Sequence, residues 1–286
     1  MNAVASIERS DERPGVAVRG GLLVREGYRD ALEARGLGTL DDLFAFAGGE
    51  HLTKASLPPW RQRIRFVLPE AGTLYMKRYV SPPVGEQLGR MRAGVLTGSH
   101  ARLEWQRIRG LEAAGIGCVR WAAFGEERSG CWERRSVLVT AAVPGESLEA
   151  YVARRPERVS RWWLQELARF AARFHAAGWV HRDLYLCHVF FDPEDPGEPF
   201  RLIDLARVIR PRWRRRRWRV KDLAALDYST PAAVATRADR LRFLRAYLGE
   251  RRLSRQGRRL ARLVARKTRR IARHDARRLR RGEAGR

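Results

Sequence analysis

The chain has 286 residues, of which 44% are hydrophobic, so it can bury a sizeable core and is not globally disordered. Its length allows one large domain or two lobes. The net charge of +26 predicts an anionic partner, which is a nucleic acid, an anionic membrane surface or a phosphorylated substrate. An arginine-rich proteome would account for part of this charge, because lysine is scarce here.

The cysteines and the hydrophobicity of the chain indicate in which cellular compartment the protein is expected. The three cysteines, Cys118, Cys131 and Cys187, are odd in number and fit no zinc spacing, so we expect reduced thiols in the cytosol. The first 30 residues carry charges throughout and contain no apolar core of signal-peptide length. No stretch approaches the roughly 18 apolar residues of a membrane span, so any membrane association is predicted to be peripheral.

The first half of the chain is predicted to be rich in strands. Residues 1–27 read as a loose leader, and residues 28–143 as an N-lobe with the nucleotide-binding strands. Charged and apolar residues alternate in a way that predicts a strand hairpin, with its turn at Pro69–Gly72. The predicted elements are short helices at 28–35 and 41–47, strands at 63–66 and 73–79, a helix at 101–114, and strands at 118–124 and 136–143.

The second half turns helical after Pro144. Residues 144–250 are predicted to form a C-lobe with helices at 148–153 and 162–177, followed by short strands at 189–191 and 201–203. A β-rich part followed by an α-rich part predicts an α+β protein of two lobes with a cleft between them.

Residues 251–286 form a basic tail with sixteen basic residues and two acids. Leu253, Leu260, Val264 and Ile271 fall near one face of a helix. This pattern favours a basic amphipathic helix on an anionic membrane surface. Nucleic-acid binding and a solvated, frayed end are the alternatives.

The residues His181-Arg182-Asp183 follow the long predicted helix, and Asp204 lies 21 residues beyond Asp183 at the end of a short strand. Phosphoryl-transfer enzymes of the kinase type arrange two carboxylates in this order. One accepts the proton of the acceptor hydroxyl, and the other coordinates magnesium. Either aspartate would otherwise be a cap or turn residue.

Lys77 and Glu104 add to this pattern, because they occur earlier in the chain in the expected order. Lys77 lies on a predicted strand and Glu104 on the next helix. An ion pair between them would hold the lysine against the α and β phosphates of a nucleotide. Glu112 on the same helix competes for this role, and a strand lysine is often only solvated.

At these residues the chain resembles the lipopolysaccharide kinase family, over roughly residues 28–250. The resemblance implies a two-lobed protein-kinase-like fold, use of ATP and magnesium, and phosphorylation of a heptose or Kdo sugar of the lipopolysaccharide core. Asp183 would then be the catalytic residue and Asp204 the metal ligand. The segments that carry the resemblance are Glu104-Trp105, Leu111 to Ile116, Phe174 to Gly178, His181 to His188, Leu202 to Arg207 and Arg217 to Leu223.

Three features depart from ordinary protein kinases. His188 stands where they place a metal-binding asparagine, and we expect it to contact magnesium poorly and to bond the loop or a phosphate instead. Asp204 precedes Leu205-Ala206 rather than Phe-Gly. A glycine-rich loop is missing, so the turn at Pro69–Gly72 is a candidate for cradling phosphate. Adenine is expected against Thr140 and Ala142.

Residues 210–219 contain seven arginines and two tryptophans. Arginine binds phosphate and carboxylate in a bidentate manner, and tryptophan stacks on sugars or lies at membrane interfaces. We therefore expect Arg212, Arg214, Arg217 and Lys221 to bind an anionic glycolipid substrate. A solvated basic loop is the alternative.

These expectations combine into one hypothesis, a kinase of a lipopolysaccharide-core-like glycolipid that lies peripherally on the cytoplasmic face of the cell membrane. One rival keeps the fold but acts on a soluble small molecule or protein. Another is a non-catalytic pseudokinase that serves as a binding module. Nucleic acid is not expected as the main partner, because the complete set of kinase-type residues argues against it.

Overall fold

A computed structural model describes residues 16–52, 57–92, 98–154 and 161–283. The chain divides into two compact units. The first unit comprises Met1–Gly110 with Val119–Val143, and the second comprises Leu111–Cys118 with Pro144–Arg286. The predicted α+β class is confirmed, with an antiparallel sheet in the first unit and mostly helices in the second.

The first unit is built on a seven-stranded antiparallel sheet of order β1-β2-β6-β7-β5-β4-β3. Charged residues alternate with Ile64, Phe66 and Leu68, and these three side chains point into the core. The predicted hairpin turn is confirmed, and Gly72 has a φ of +70° that favours glycine. The strands are β1 Val16–Arg19, β2 Leu22–Arg25, β3 Glu50–His51, β4 Arg61–Leu68, β5 Gly72–Val80, β6 Trp121–Ser129 and β7 Trp132–Ala141.

The helices of the first unit accompany this sheet. Thr39 caps α2 by a reciprocal pair of hydrogen bonds with Asp42, which satisfies backbone N–H groups at the helix start. Buried leucines from α1 and α2 join the core with Ile64, Leu74 and Val139. The helices are α1 Arg29–Ala34, α2 Leu40–Ala45, α3 Val84–Arg92 and α4 His100–Glu112, with a 3₁₀ turn at Glu26–Tyr28.

The expectation of a leader up to residue 27 is wrong for its second part. Residues 16–25 form the hairpin β1–β2, and β2 pairs with β6. Leu22, Leu23 and Val24 are buried, so these residues belong to the core of the first unit. Gly20 and Gly21 both have positive φ and make the tight turn that joins the strands. The expectation for residues 1–15 lies outside the described residues.

The second unit is mostly helical and carries a small antiparallel sheet of order β10-β9-β8. Its helices pack around Ala168, Ala171, Leu223, Leu244 and Tyr247. The elements are α5 Leu148–Arg154, α6 Arg161–Ala176, α7 Arg215–Ser229, α8 Arg237–Leu248 and α9 Arg255–Glu283, strands β8 Glu146–Ser147, β9 Val189–Phe191 and β10 Phe200–Leu202, and 3₁₀ turns at Leu186–His188 and Leu205–Arg207.

Helix α9 corrects the expectation of an apolar face lying on a membrane. Leu253, Leu260 and Val264, which were expected to face lipid, instead pack against the core of the second unit. Tyr228 and Asp227 on α7 bond Asp275 and Thr268 of α9 at 2.5 and 2.6 Å. The solvent-facing side of α9 is therefore arginine-rich rather than apolar. Within the described residues, no helix is long and apolar enough to cross a membrane.

Candidate active site

Lys77 and Glu104 form the predicted ion pair in the first unit. Strand β5 presents Lys77, and its Nζ lies 2.6 Å from Oε1 of Glu104 on α4. The two side chains are only 14% and 2% exposed, so neither charge is well solvated. The other carboxylate oxygen, Oε2, is buried and accepts no hydrogen bond from the described part of the chain. Glu104, rather than Glu112, is thus the partner of the lysine.

The expected adenine contacts are only partly open to a ligand. Thr140 lies in β7 between Tyr75 and Trp121, so it belongs to the interior of the sheet. The N–H of Ala142 donates to the carbonyl of Thr73 at 2.8 Å. An adenine ring could therefore not use this N–H while the bond is made, and the expectation for Ala142 is restricted to its carbonyl.

The loop that carries Asp183 in the second unit is held by a buried carboxylate. Asp222 on α7 is fully buried, and its two oxygens accept the backbone N–H groups of His181 and Arg182, each at 2.7 Å. His175 on α6 lies 3.2 Å from the same carboxylate and 2.9 Å from the hydroxyl of Tyr247 on α8. Three helices thus fix the backbone immediately before Asp183.

Two histidines, His181 and His188, also hold the loop that carries Asp183. His181 is fully buried and its Nε2 donates to the carbonyl of Ile203 at 3.0 Å, so it holds the loop against the end of β10. Burial lowers the pKa of His181, which keeps it neutral. His188 stacks on His181 and its Nδ1 donates to the carbonyl of Asp183 at 2.7 Å. This bond matches the loop contact expected as the alternative to a metal role.

The imidazole of His188 lies beside the carboxylate of Asp204 and has a raised pKa. Burial lowers its pKa, but the Cys187 side chain, the carbonyl of Asp183 and the charge of Asp204 together raise the pKa to about 9. A protonated imidazole carries a positive charge and has no free lone pair. His188 therefore acts as a positive neighbour of Asp204, with Nε2 3.9 Å from Oδ2.

Asp183 itself is flanked by two cations from different elements. Its Oδ2 lies 2.7 Å from Nη1 of Arg207, and its Oδ1 lies 3.4 Å from Nζ of Lys221 on α7. Lys221 is about three-quarters buried, and burial lowers its pKa although Asp183 opposes the effect. Lys221, expected in the substrate site, thus lies beside the carboxylate of Asp183.

Asp204 adopts a left-handed backbone conformation, with a φ of +52°. Non-glycine residues rarely take this conformation, and such strain concentrates at functional sites. The carboxylate is 37% exposed, and its hard oxygens are of the type that magnesium prefers. Among the described residues no group of three or more His, Cys, Asp or Glu residues could hold a metal ion. The carboxylate of Asp204 therefore has the donor chemistry that a magnesium ion would need.

The remaining expected substrate residues lie at the surface of the second unit. Arg212, Arg214 and Arg217 are exposed in the described structure. The guanidinium of Arg217 lies 5.3 Å from the centre of the Trp218 ring, and Arg182 lies at the same distance. The first two arginines remain open to an anionic ligand, whereas Arg217 is already engaged with an aromatic face.

Sequence reasoning missed Asp222 and Arg207. Asp222 had a detectable signal, because it is an acid in front of the apolar run Leu223-Ala224-Ala225-Leu226 on a helix. Arg207 lay inside the segment quoted for Asp204, but nothing in the spacing indicated that it would reach Asp183.

Comparisons with known proteins identify the family of the chain. Residues 61–247 match the sequence model of the lipopolysaccharide kinase (Kdo/WaaP) family, which is more than half of the chain. The chain is 39% identical over 157 residues to the lipopolysaccharide core heptose(I) kinase WaaP of Pseudomonas aeruginosa. It is 33% identical over 156 residues to the protein of the same name from Escherichia coli strain K12.

Each of these alignments covers 51% of this chain and 59% of the relative, so the chain spans about three fifths of the curated relatives that it matches. A solved structure, described as WaaP in complex with acyl carrier protein, superposes with a TM-score of 0.66 at 27% identity. That match covers 89% of this chain and 99% of the other, which confirms the kinase-like fold. The chain therefore belongs to the lipopolysaccharide kinase (Kdo/WaaP) family.

Proposed function

We propose that this protein is an ATP-dependent kinase that phosphorylates a sugar hydroxyl of a lipopolysaccharide-core glycolipid. The observation that carries the proposal is the buried Lys77–Glu104 ion pair, because a lysine held in this way suits the phosphates of a nucleotide. Family membership supports the reaction, and the names of the curated relatives favour a heptose acceptor.

The residues take distinct roles in this proposal. Glu104 orients Lys77, which binds the α and β phosphates. Asp183, on a loop fixed by Asp222, orients the acceptor hydroxyl and accepts its proton. Magnesium bound to Asp204 would neutralise charge on the phosphates. Lys221 and Arg207 already contact the Asp183 carboxylate, and they place positive charge where the transferred phosphoryl group would be negative.

The acceptor is a membrane lipid in this proposal, so the protein works peripherally at the cytoplasmic face of the cell membrane. The strongly positive net charge supports attraction to an anionic surface.

The test is ATP turnover by the purified protein with magnesium, using a heptose-bearing glycolipid and its deacylated, water-soluble form. We expect turnover with the glycolipid, and a loss of 10²- to 10⁴-fold in Asp183→Asn, since that is the typical contribution of a general base. Asp30→Asn on α1 is the matched control, because Asp30 is exposed and in the first unit. Turnover only with soluble acceptors would favour the first rival. Absence of turnover in a folded wild-type protein would favour the pseudokinase.

We also propose that the second unit binds an acyl carrier protein. A cavity of about 380 Å³ lies among α6, α7, α8 and α9, and its lining is predominantly apolar. Arg237 and Arg262 are exposed residues of this lining. An acyl chain on a phosphopantetheine arm combines an aliphatic tail with an anionic phosphate, which matches both features. A solved relative is described in complex with such a partner.

Filling the cavity tests this partner. Ala265 is an exposed lining residue on α9, and Ala272 is exposed on the same helix outside the lining. We expect Ala265→Trp to abolish co-elution with a hexadecanoyl acyl carrier protein in gel filtration, and Ala272→Trp to retain it. Equal binding of the unacylated carrier protein by the wild type would show that the cavity is not the acyl site.

A further inference from the structure

Residues 210–217, which we call the arginine–tryptophan loop, form an unusual surface of the second unit. Trp213 is 82% exposed, more than any other exposed large hydrophobic side chain in the described residues. The residues on both sides of it, Arg212 and Arg214 to Arg217, are exposed as well. Exposing a large indole ring to water between positively charged side chains costs free energy unless a partner covers the ring.

The charge of this loop is not neutralised by ion pairs with the residues that the structure describes. Between Asp204 and Asp222 the sequence contains nine basic residues and no acid. Arg212 and Arg214 to Arg217 form no salt bridge with any described carboxylate, whereas Arg215 bonds the carbonyl of Pro211 at 3.1 Å. These positive charges repel one another, and an anionic surface would relieve the repulsion.

The backbone presents Trp213 outward. Pro211 is buried, and Arg214 adopts a left-handed conformation with a φ of +55° just before α7 begins. The chain therefore turns sharply around Trp213. The neighbouring Trp218 differs, because its ring has the guanidinium groups of Arg182 and Arg217 each 5.3 Å from its centre. The ring of Trp213, unlike that of Trp218, is therefore available to insert into a partner outside the protein.

The positive surface continues from the loop onto α9. Burial lowers the pKa of Lys267 on α9, and the charges of Arg270 and Arg217 lower it further. Helices α7 and α9 pack together here, since Thr268, the residue after Lys267, donates a hydrogen bond to the carboxylate of Asp227 on α7 at 2.6 Å. Asp275 is the one acid between residues 255 and 282 of α9, and it accepts a hydrogen bond from Tyr228 on α7. The basic area is therefore broader than the loop alone.

We propose that the arginine–tryptophan loop docks the protein onto an anionic lipid bilayer. The indole of Trp213 lies at the bilayer interface, where tryptophan is enriched, and the arginines contact lipid phosphodiesters. This inference deepens the proposed function, since it names the surface that brings the protein to a lipid-linked acceptor. A single-stranded nucleic acid fits the surface less well, because stacking of successive bases needs several aromatic platforms and the loop offers one.

Vesicle co-sedimentation of the full chain tests the proposal without phosphoryl transfer. The vesicles contain phosphatidylcholine with or without phosphatidylglycerol, and no glycolipid. We expect binding only to the anionic vesicles, and weaker binding at high salt. Trp213→Ala should weaken binding about tenfold, because the indole loses its burial at the interface. Arg212→Gln with Arg216→Gln should weaken it about thirtyfold, from the typical contribution of two basic residues near a charged surface.

Matched controls lie in the first unit. Trp132→Ala removes a tryptophan that is 40% exposed, and Arg65→Gln with Arg134→Gln removes the same charge from exposed positions. Both should bind like the wild type. Brominated lipid should quench wild-type fluorescence and quench Trp213→Ala less.

The proposal is overturned if Trp213→Ala binds anionic vesicles as well as the wild type does, or if the control charge variant loses as much binding as the loop variant. Tighter binding to a single-stranded RNA than to vesicles, lost in Trp213→Ala, would assign the loop to nucleic acid instead. Because turnover is not measured, membrane docking and kinase activity can fail separately. If the protein binds vesicles but shows no turnover in the kinase assay, only the proposed reaction is refuted. If it shows turnover but does not bind vesicles, only the membrane-docking inference is refuted.

Discussion

Asp222 holds the backbone of the loop that carries Asp183. It has no exposed surface, and its carboxylate accepts two backbone N–H groups from residues about 40 positions earlier in the chain. A buried carboxylate is stable only when such bonds compensate for its lost hydration. The loop and the helix thus stabilise each other.

We expect Asp222→Asn to lower the free energy of unfolding by about 3 kcal/mol, because an amide nitrogen would face one of the two N–H donors. Denaturant unfolding of the full chain measures this change, with Asp30→Asn as the control. A loss below about 0.5 kcal/mol would show that the backbone N–H groups find other acceptors.

The residues predicted from sequence lie in patterns that can be recognised locally along the chain, whereas Asp222 does not. Asp183 and Asp204 were singled out because they follow a kinase-type motif and spacing, and Lys77 because it lies on a regular strand. Glu104 was preferred to Glu112 from the sequence, and the structure confirms that it pairs with Lys77. Asp222 could not be assigned, because the groups that it binds are distant in sequence and helical acids usually face water.

At the scale of the elements, α8 begins with a capping box that makes its stability depend on pH. Thr236 and Asp239 exchange side-chain and backbone hydrogen bonds. The hydroxyl of Thr236, followed by its backbone N–H, lowers the pKa of Asp239 to about 2 although burial opposes the effect. The ordinary value is 3.8. Because the folded pKa is depressed, the box stabilises the protein fully above about pH 5 and loses this contribution as the pH falls towards 2.

We therefore expect Asp239→Asn to cost about 1 kcal/mol at neutral pH, as is typical for the loss of a helix cap. The difference between the two proteins should shrink between pH 4 and pH 2. Thermal or denaturant unfolding at several pH values measures it, and Asp30→Asn should show no such change. A gap that stays constant down to pH 2 would contradict an ionised Asp239 in the box.

Element types could be predicted where the hydrophobic period was regular, but their partners could not. The apolar stripe of α9 was identified correctly, yet amphipathicity does not tell whether such a face covers a membrane or a neighbouring helix. The core of the second unit covers it. Similarly, residues 16–25 were taken as a leader because a short hairpin has little periodicity, and its burial depends on β6, about a hundred residues later.

For the whole molecule, the pattern of apolar and polar residues along the chain indicated much of the architecture. The change from alternating to helical patterns near Pro144 corresponds to a β-rich first unit and a helical second unit. The net charge of +26 indicated an anionic partner, but not which surface would meet it. The position of that surface depends on which arginines form ion pairs with carboxylates, and these ion pairs form only in the folded chain.

The hydrogen bonds of Asp222 have a consequence for local unfolding. Loops usually open at little cost, independently of the core. Here the backbone before Asp183 is tied through Asp222 and His175 to Tyr247, and these three side chains are all buried. Opening of the loop must break both hydrogen bonds to Asp222 and leave a buried carboxylate without these donors, so we expect it to cost more free energy than the opening of a surface loop. Hydrogen exchange at the backbone N–H groups of His181 and Arg182 should therefore be slower than irregular structure alone would suggest.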